Sequence, residues 1–318
     1  MKHYLPLLFL VVFCTGVRAQ DATIFNHYVQ NPVILNPAAV GFTDEYQVFI
    51  NSRLAWTGFE DAPKTVALRA NGPVGESFGV GASIFSESAA QLQRTKGQID
   101  VAFRFGIGKE DQGKQAFQAS FGFFTQFQRL TLDGDILNNP VYEPGDALIM
   151  EYLDGRNEFD AGVGLYGTYD KRIFGGFTIN NLVSNRLDNI SGIANNEGLN
   201  YTFLLGQHFT LKDADAVITP SVMFRNLQDA PFMLDFNVQG AFANERIIAG
   251  LSYRYLGAVG VLLGTNQRNF NLYYSFDLGF GEFQTYNSGS HEFTVGYRIG
   301  RQQIKDGRAR RVQQENLR

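Results

Sequence analysis

The chain has 318 residues, with 27 basic and 31 acidic side chains for a formal net charge of −4, and it carries 29 Phe, 14 Tyr, 34 Gly and 1 Cys. A hydrophobic content of 44% excludes a disordered profile, and one cysteine excludes a disulfide framework and Cys-based zinc or iron–sulfur sites. The slightly acidic balance gives no reason to expect a nucleic-acid partner, while the length admits either two soluble domains or one large all-β unit.

Residues 1–19, MKHYLPLLFLVVFCTGVRA, have a basic start at Lys2 and His3, an apolar run from Leu5 to Cys14, and small residues at Val17 and Ala19. This pattern predicts a secretory signal cleaved before Gln20 and too short to span a bilayer as a helix. A lipoprotein would use Cys14, but bulky Phe13 directly before it argues against that reading. The charge beyond the leader is uneven: residues 301–318 form a basic tail of +4, and residues 20–300 carry −10. No window after the leader holds about 18 consecutive apolar residues, so the exported chain is either soluble or a membrane β-barrel.

Residues 20–45 form a lead-in with two Asn-Pro steps, Asn31-Pro32 and Asn36-Pro37, the second followed by Ala38 and Gly41. Asn can cap a helix, and Pro fits the first helical position because its missing N–H needs no partner. The segment 22–45 is expected to fold as a small plug or rim at the periplasmic mouth, held by Phe25, Tyr28 and Leu35.

From residue 46 to residue 300 the pattern has a period of two. In one run Phe270, Leu272, Tyr274, Phe276 and Leu278 face away from Asn271, Tyr273, Ser275 and Asp277. In another, Phe232, Leu234, Phe236 and Val238 oppose Met233, Asp235, Asn237 and Gln239. Successive strand side chains point to opposite faces, so each run is a strand with one apolar and one polar surface. About fourteen such runs can be placed, most near the ten residues that a tilted strand needs to cross a bilayer. The connections alternate between tight turns and longer loops, the longest near 130–158 and 183–198. Tyr46, Tyr152, Tyr169, Tyr255 and Tyr286 fall near strand ends, as interfacial girdles require. The expected fold is all-β: a transmembrane antiparallel up-and-down barrel of about 14 strands, with both termini periplasmic. A soluble sandwich alternates too, but an open sheet of that size would have to split or curl. Closure removes every edge, as lipid demands.

Chemistry-bearing motifs are sparse. His291 and Glu292 are adjacent on a strand and therefore cannot converge on one ion. Gly79-Val80-Gly81 and Gly162-Val163-Gly164 resemble fragments of nucleotide loops, but no helix follows, so they are expected to be close-packing glycines. The carboxylates of 130–158 (Asp133, Asp135, Glu143, Asp146, Glu151, Asp154) lack the spacing of a calcium loop and are read as a solvated, partner-facing surface. No catalytic set, cofactor or metal site is expected.

The stretch QDATIFNHYVQNPVILNPAAVGF resembles the start of the PorP/SprF family of Bacteroidetes outer-membrane proteins. The residues that carry the likeness are Gln20-Asp21, Phe25 with Tyr28, Asn31-Pro32, and Asn36-Pro37-Ala38 with Gly41. Further matches are Arg53 with Trp56, Ala62-Pro63-Lys64-Thr65, and His291-Glu292 leading into the last strand. The basic tail 301–318 departs from the family, whose members usually end near that strand. The resemblance implies an outer-membrane component of the type IX secretion and gliding-motility machinery. Its implied partners are outer-membrane lipid, other secretion components and a large secreted adhesin. The alternative is a 14-stranded channel for a small or hydrophobic solute.

Overall fold

The computed structural model describes residues 25–59, 61–111, 114–138, 145–183, 199–227, 232–255, 257–280 and 287–300, with side chains described for all of these except 108–111 and 114–116. The leader, the basic tail, Tyr286 and most of 183–198 lie outside the described residues.

Period-two alternation is realised as fifteen strand segments. They are β1 (Glu45–Leu54), β2 (Lys64–Val74), β3 (Phe78–Ala89), β4 (Leu92–Asp111), β5 (Lys114–Leu132), β6 (Arg156–Tyr169), β7 (Ile173–Asn180), β8 (Asn200–Gln207), β9 (Phe209–Leu211), β10 (Ala216–Asn226), β11 (Met233–Phe242), β12 (Ile247–Arg254), β13 (Ala258–Gln267), β14 (Phe270–Gly279) and β15 (Ser290–Gly300). Neighbours pair antiparallel, and β15 returns to pair with β1, Glu45 opposite Gly300 and Leu54 opposite His291. The sheet therefore has no free edge.

Segments β8 and β9 are one stave. Both pair with β10 in a single register, Gly206 opposite Ser221 and Phe209 opposite Ile218. The gap faces Pro220, which has no N–H to give to the ladder. Fourteen staves close the barrel, as the alternation predicts.

One end of the barrel carries the tight connections 75–77, 170–172, 212–215, 243–246 and 268–269. Gly75, Asp170, Lys171, Asp215, Asn244 and Arg268 have positive φ there, the backbone that short hairpins need. We call this the turn end. The opposite, loop end carries 55–63, 133–155, 181–199 and 280–289. Two of its connections are short. One follows β12; the other is the turn at Ala90-Gln91, because β4 and β5 run longer than the apolar alternation indicates.

The connection 133–155 holds a turn of 3-10 helix at Gly134–Asn138 and one helix, α1 (Ala147–Asp154). Asp146 Oδ1 accepts from the N–H groups of Leu148 at 2.8 Å and Ile149 at 3.4 Å, which caps α1. Asp133 accepts from the Asp135 N–H at 3.1 Å. Two of the loop carboxylates thus satisfy backbone donors, and the described residues contain no group of three His, Cys, Asp or Glu placed to hold a metal.

The apolar faces point outward. Val48 and Ile50 on β1, Ile99 and Val101 on β4, Phe121 and Phe123 on β5, Val238 on β11, Leu263 on β13 and Phe293 on β15 are all exposed. This band is far larger than the few hundred Å² of apolar patch that soluble monomers tolerate. Gln47, Asn51, Asp100, Ser120, Asp160, Thr202, Asp235, Asn271 and Thr294 are buried facing the lumen. Tyr46, Tyr169 and Tyr255 are exposed near strand ends, and Tyr152 lies on α1 under the Arg156 guanidinium.

Candidate functional site: the plugged lumen

The lead-in does not stop at the mouth of the barrel. From Glu45 at the turn end, residues 44–25 run back through the lumen until Asn26 meets side chains near the loop end. The segment forms a plug in the structure, with Phe25 and Tyr28 buried. Its position differs: it spans the lumen instead of resting on the periplasmic rim. The β-strands β1 and β15 do begin and end at the turn end, but the chain before β1 doubles back, so Phe25 and Gly300 lie toward opposite ends. A polar, glycine-notched wall makes this route available.

The two Asn-Pro steps build two short 3-10 turns, Pro32–Ile34 and Pro37–Ala39. They differ in how Asn is used. Asn36 Oδ1 accepts from the Ala38 N–H at 2.9 Å, and its Nδ2 donates to Leu165 O at 2.7 Å on β6 and to Phe177 O at 3.4 Å on β7. Asn31 makes no side-chain cap, and its buried amide has no partner.

Glycines give this segment its seat. A Cβ on Gly164 or Gly176 would overlap the Asn36 amide, one on Gly122 would overlap the Ala38 backbone, and one on Gly79 would overlap the Val40 carbonyl. Gly41, at φ +60°, presses on Gly79 and Gly72, where a Cβ would lie 2.6 Å from Gly79 Cα. Its N–H donates to Asn71 Oδ1 at 3.3 Å. Glycine is required at Gly41, Gly79 and Gly122 because backbone meets backbone, and at Gly164 and Gly176 because the Asn36 amide takes the space of a Cβ. The Gly-Val-Gly pairs singled out in the sequence are thus plug contacts, made by Gly79, Gly81 and Gly164, while Gly162 makes room for the Phe124 ring.

Apolar anchors fix the rest. Tyr28 packs with Phe174, Leu204, Met223 and Met233, with Leu35 at the margin. Phe25 packs with Ala67 and Phe85, beside Ile34. Phe42 meets Tyr166 edge-on at 4.9 Å. At the turn end Arg104 donates to Phe42 O at 2.6 Å and reaches Asp44 at 3.2 Å.

Near the loop end the plug closes a buried charge network. Arg53 on β1 pairs with Asp277 on β14 at 2.9 Å and with Glu292 on β15 at 3.2 Å. The Asn26 N–H donates to Glu292 at 2.8 Å, and its amide donates to Asp277 while accepting from Arg254 at 3.2 Å. Arg254 in turn holds Asp235 at 3.0 Å. His27 Nδ1 lies 2.6 Å from Thr294 Oγ1 and 3.2 Å from Glu292 Oε1. Both His27 and Glu292 side chains are fully buried, at 0% exposure. One cation against two carboxylates leaves an excess acceptor charge, which the plug's donors satisfy. Burial holds the His27 imidazole below its ordinary value, against the opposing pull of Glu292.

Among the remaining residues singled out from the sequence, Trp56 follows β1 at φ +51° and gives its N–H to Ser290 Oγ at 3.0 Å. The Pro63 carbonyl accepts from the Ala55 N–H at 2.9 Å. His291 faces outward, with Nδ1 2.8 Å from the Tyr274 hydroxyl. It therefore points away from Glu292, as strand geometry requires. The sequence reading missed Glu292 as a charge partner of Arg53, and gave His27 no role. Their partners are more than 200 positions away, and only the register that closes β1 on β15 could have revealed them.

The sequence model of the family described as "Type IX secretion system membrane protein PorP/SprF" matches residues 17–297. No curated protein matches the chain. Solved structures that resemble it include the Acinetobacter baumannii outer membrane protein Omp33, at TM-score 0.47 and 6% identity, covering 81% of this chain and 100% of that one. A Pseudomonas aeruginosa FadL homologue gives TM-score 0.46 and 10% identity, covering 84% and 93%. The KdgM porin gives TM-score 0.39 and 7% identity, covering 80% and 98%.

Proposed function

The chain belongs to the PorP/SprF family of type IX secretion system membrane proteins, and from that premise we propose that it is a non-catalytic outer-membrane scaffold for export or surface attachment of a large adhesin-type cargo. The observation that carries this reading is the plugged lumen. A path along the barrel axis is filled by residues 25–44, seated on glycines and bonded to the wall at both ends. A barrel so filled suits a fixed platform better than an open solute channel.

In this reading the turn end faces the periplasm and the loop end faces outside. The connections 133–155 and 181–199 meet the exported protein, and other secretion components dock on the periplasmic side. The helix α1 leaves Leu148 and Met150 exposed on the first of these loops, which supports a protein-facing role there.

The test is gene deletion with two readouts. Loss of one surface adhesin with normal uptake of small solutes supports the scaffold. An unchanged set of surface proteins, with a solute uptake defect, overturns it.

A further inference from the structure

On the side of the lumen away from the Arg53 network, the wall gathers positive charge. Arg69, Ser83 and Gln98 are register partners across β2, β3 and β4, and Lys96 stands two residues from Gln98 on the same face. These four side chains line a cleft with Asp100 and with Ile34 of the plug. The cleft encloses about 40 Å³, room for about three waters. Lys96 Nζ sits 5.1 Å from the centre of the Phe85 ring, and among the described residues it has neither an ion pair nor a hydrogen-bond acceptor. The Arg69 guanidinium lies 5.0 Å from the Phe25 ring of the plug and donates to Asn51 Oδ1 at 3.1 Å. A cation on a ring face keeps N–H donors for an anion.

Further charges act on this pair. Arg94, Arg225 and Glu87 bear on Lys96, and Asp100 faces both Arg69 and Lys96. Arg94 pairs with Glu87 at 3.4 Å, so those two cancel. Glu292 reaches Arg69 but is held by Arg53 and by the Asn26 N–H. Arg69, Lys96 and Arg225 then stand against Asp100, whose Oδ1 accepts from Gln98 at 2.8 Å. Like charges gathered in a closed lumen repel more strongly than in open water.

We propose that a small inorganic anion such as chloride binds in this cleft, bridging Lys96 and Arg69 and tying the wall to the plug. Size sets the class, since the space admits an ion but no organic body. Charge sets the sign, since an anion offsets the surplus that Arg69, Lys96 and Arg225 hold over Asp100. Phe25 covers Arg69 and Ile34 lines the cleft, so the docked plug completes the enclosure. An anion that favours the docked form also stabilises it. This site is separate from the secretion role, and either can fail without the other.

The test is quadrupolar broadening of the chloride NMR line as chloride is titrated into the purified full chain in non-ionic detergent, with ionic strength held constant by sodium gluconate. Gluconate is too large for the cleft and serves as the inert anion. Saturable broadening that nitrate reverses is the expected result. Affinity should fall about tenfold or more in Lys96→Gln and in Arg69→Gln. Heat-modifiable gel mobility checks that each variant is folded, and the nitrate competition requires no variant. Protease should release the lead-in of the wild-type chain more slowly in chloride than in gluconate. Absence of saturable broadening with the wild-type chain overturns the proposal. So does binding undiminished by the double substitution of Arg69 and Lys96, or equal release of the lead-in in the two salts.

Discussion

Arg53 and Glu292 are register partners across the seam where the first strand meets the last, and their side chains pair at 3.2 Å inside the lumen. The closure of the barrel and the docking of its plug therefore share one set of charges. Backbone pairing of β1 with β15 brings Arg53 to Glu292, and Asp277 and Asn26 complete the set. Such a network is costly to leave half made, because a buried charge without its partner keeps its desolvation penalty.

Arg53→Met should destabilise the folded barrel by about 3–5 kcal/mol, since it leaves Asp277 and Glu292 without their cation. The combined change of Arg53 to Met with Glu292 and Asp277 to Leu should recover much of that loss. Urea unfolding in detergent or lipid vesicles measures both. A combined loss equal to the sum of the separate single-variant losses would show that the charges act independently of each other.

Gly122→Val should expel the plug or block assembly, because its side chain would occupy the space of the Ala38 backbone. Deleting residues 25–44 in the same chain should restore assembly, since the clash is with the plug alone. Folding yield by heat-modifiable mobility, and protease access to the lead-in, check this. A Gly122→Val barrel that still shields its plug would contradict the seating described above.

The two Asn-Pro steps should respond differently to alanine. Asn36→Ala loses the cap on Ala38 and the bond to Leu165 O, and should cost about 1–3 kcal/mol. Asn31→Ala removes a buried amide with no partner and should be neutral or stabilising. Denaturant midpoints of the two variants decide the order; a larger loss at Asn31 would reverse the assignment.

Plug docking should weaken in acid. Burial lowers the His27 pKa, with Glu292 opposing and Arg53 adding to the effect. The imidazole released from the plug then takes a proton before the docked one, so docking is complete above about pH 6.5 and erodes as pH falls below it, by up to about 1.4 kcal/mol per pH unit. Protease release of the lead-in between pH 8 and pH 5 follows this. His27→Gln should flatten the response over that range; an unchanged pH profile in the variant would place the titrating group elsewhere.

Much of the fold was legible because a barrel writes one residue in lipid and the next in the lumen. Phe236 and Val238 against Asp235 and Asn237 are enough to call β11, and the same logic found every stave, including β8 with β9 across Pro220. The loop-end extension of β4 and β5, residues 92–95 and 130–132, was hidden because Gln93 and Thr95 bring little apolar signal outward and the buried Leu130 interrupts the polar face. Helix α1 was hidden because eight residues in a loop rich in carboxylates show too little periodicity. The Asn-Pro steps and aromatic residues of the lead-in pointed to a compact segment at the barrel mouth, but not to its depth in the lumen. That depth is set by Gly79, Gly122 and Gly164, whose partners in the lead-in are distant in sequence. The charge network was illegible for the same reason: Arg53 and Glu292 meet only when the sheet closes.

The central claim is that the apolar face of this sheet meets lipid while the polar face encloses the plug. Leu262 and Leu263 are adjacent on β13, the first buried toward the lumen and the second exposed outward. With Cys14, the sole cysteine of the sequence, replaced by Ser, a single cysteine at 262 or 263 can carry a small fluorophore in the chain reconstituted into vesicles of lipids brominated in the acyl chain. Strong quenching at 263 with little at 262 is the predicted result. Equal quenching at both positions, or none at either, would contradict it.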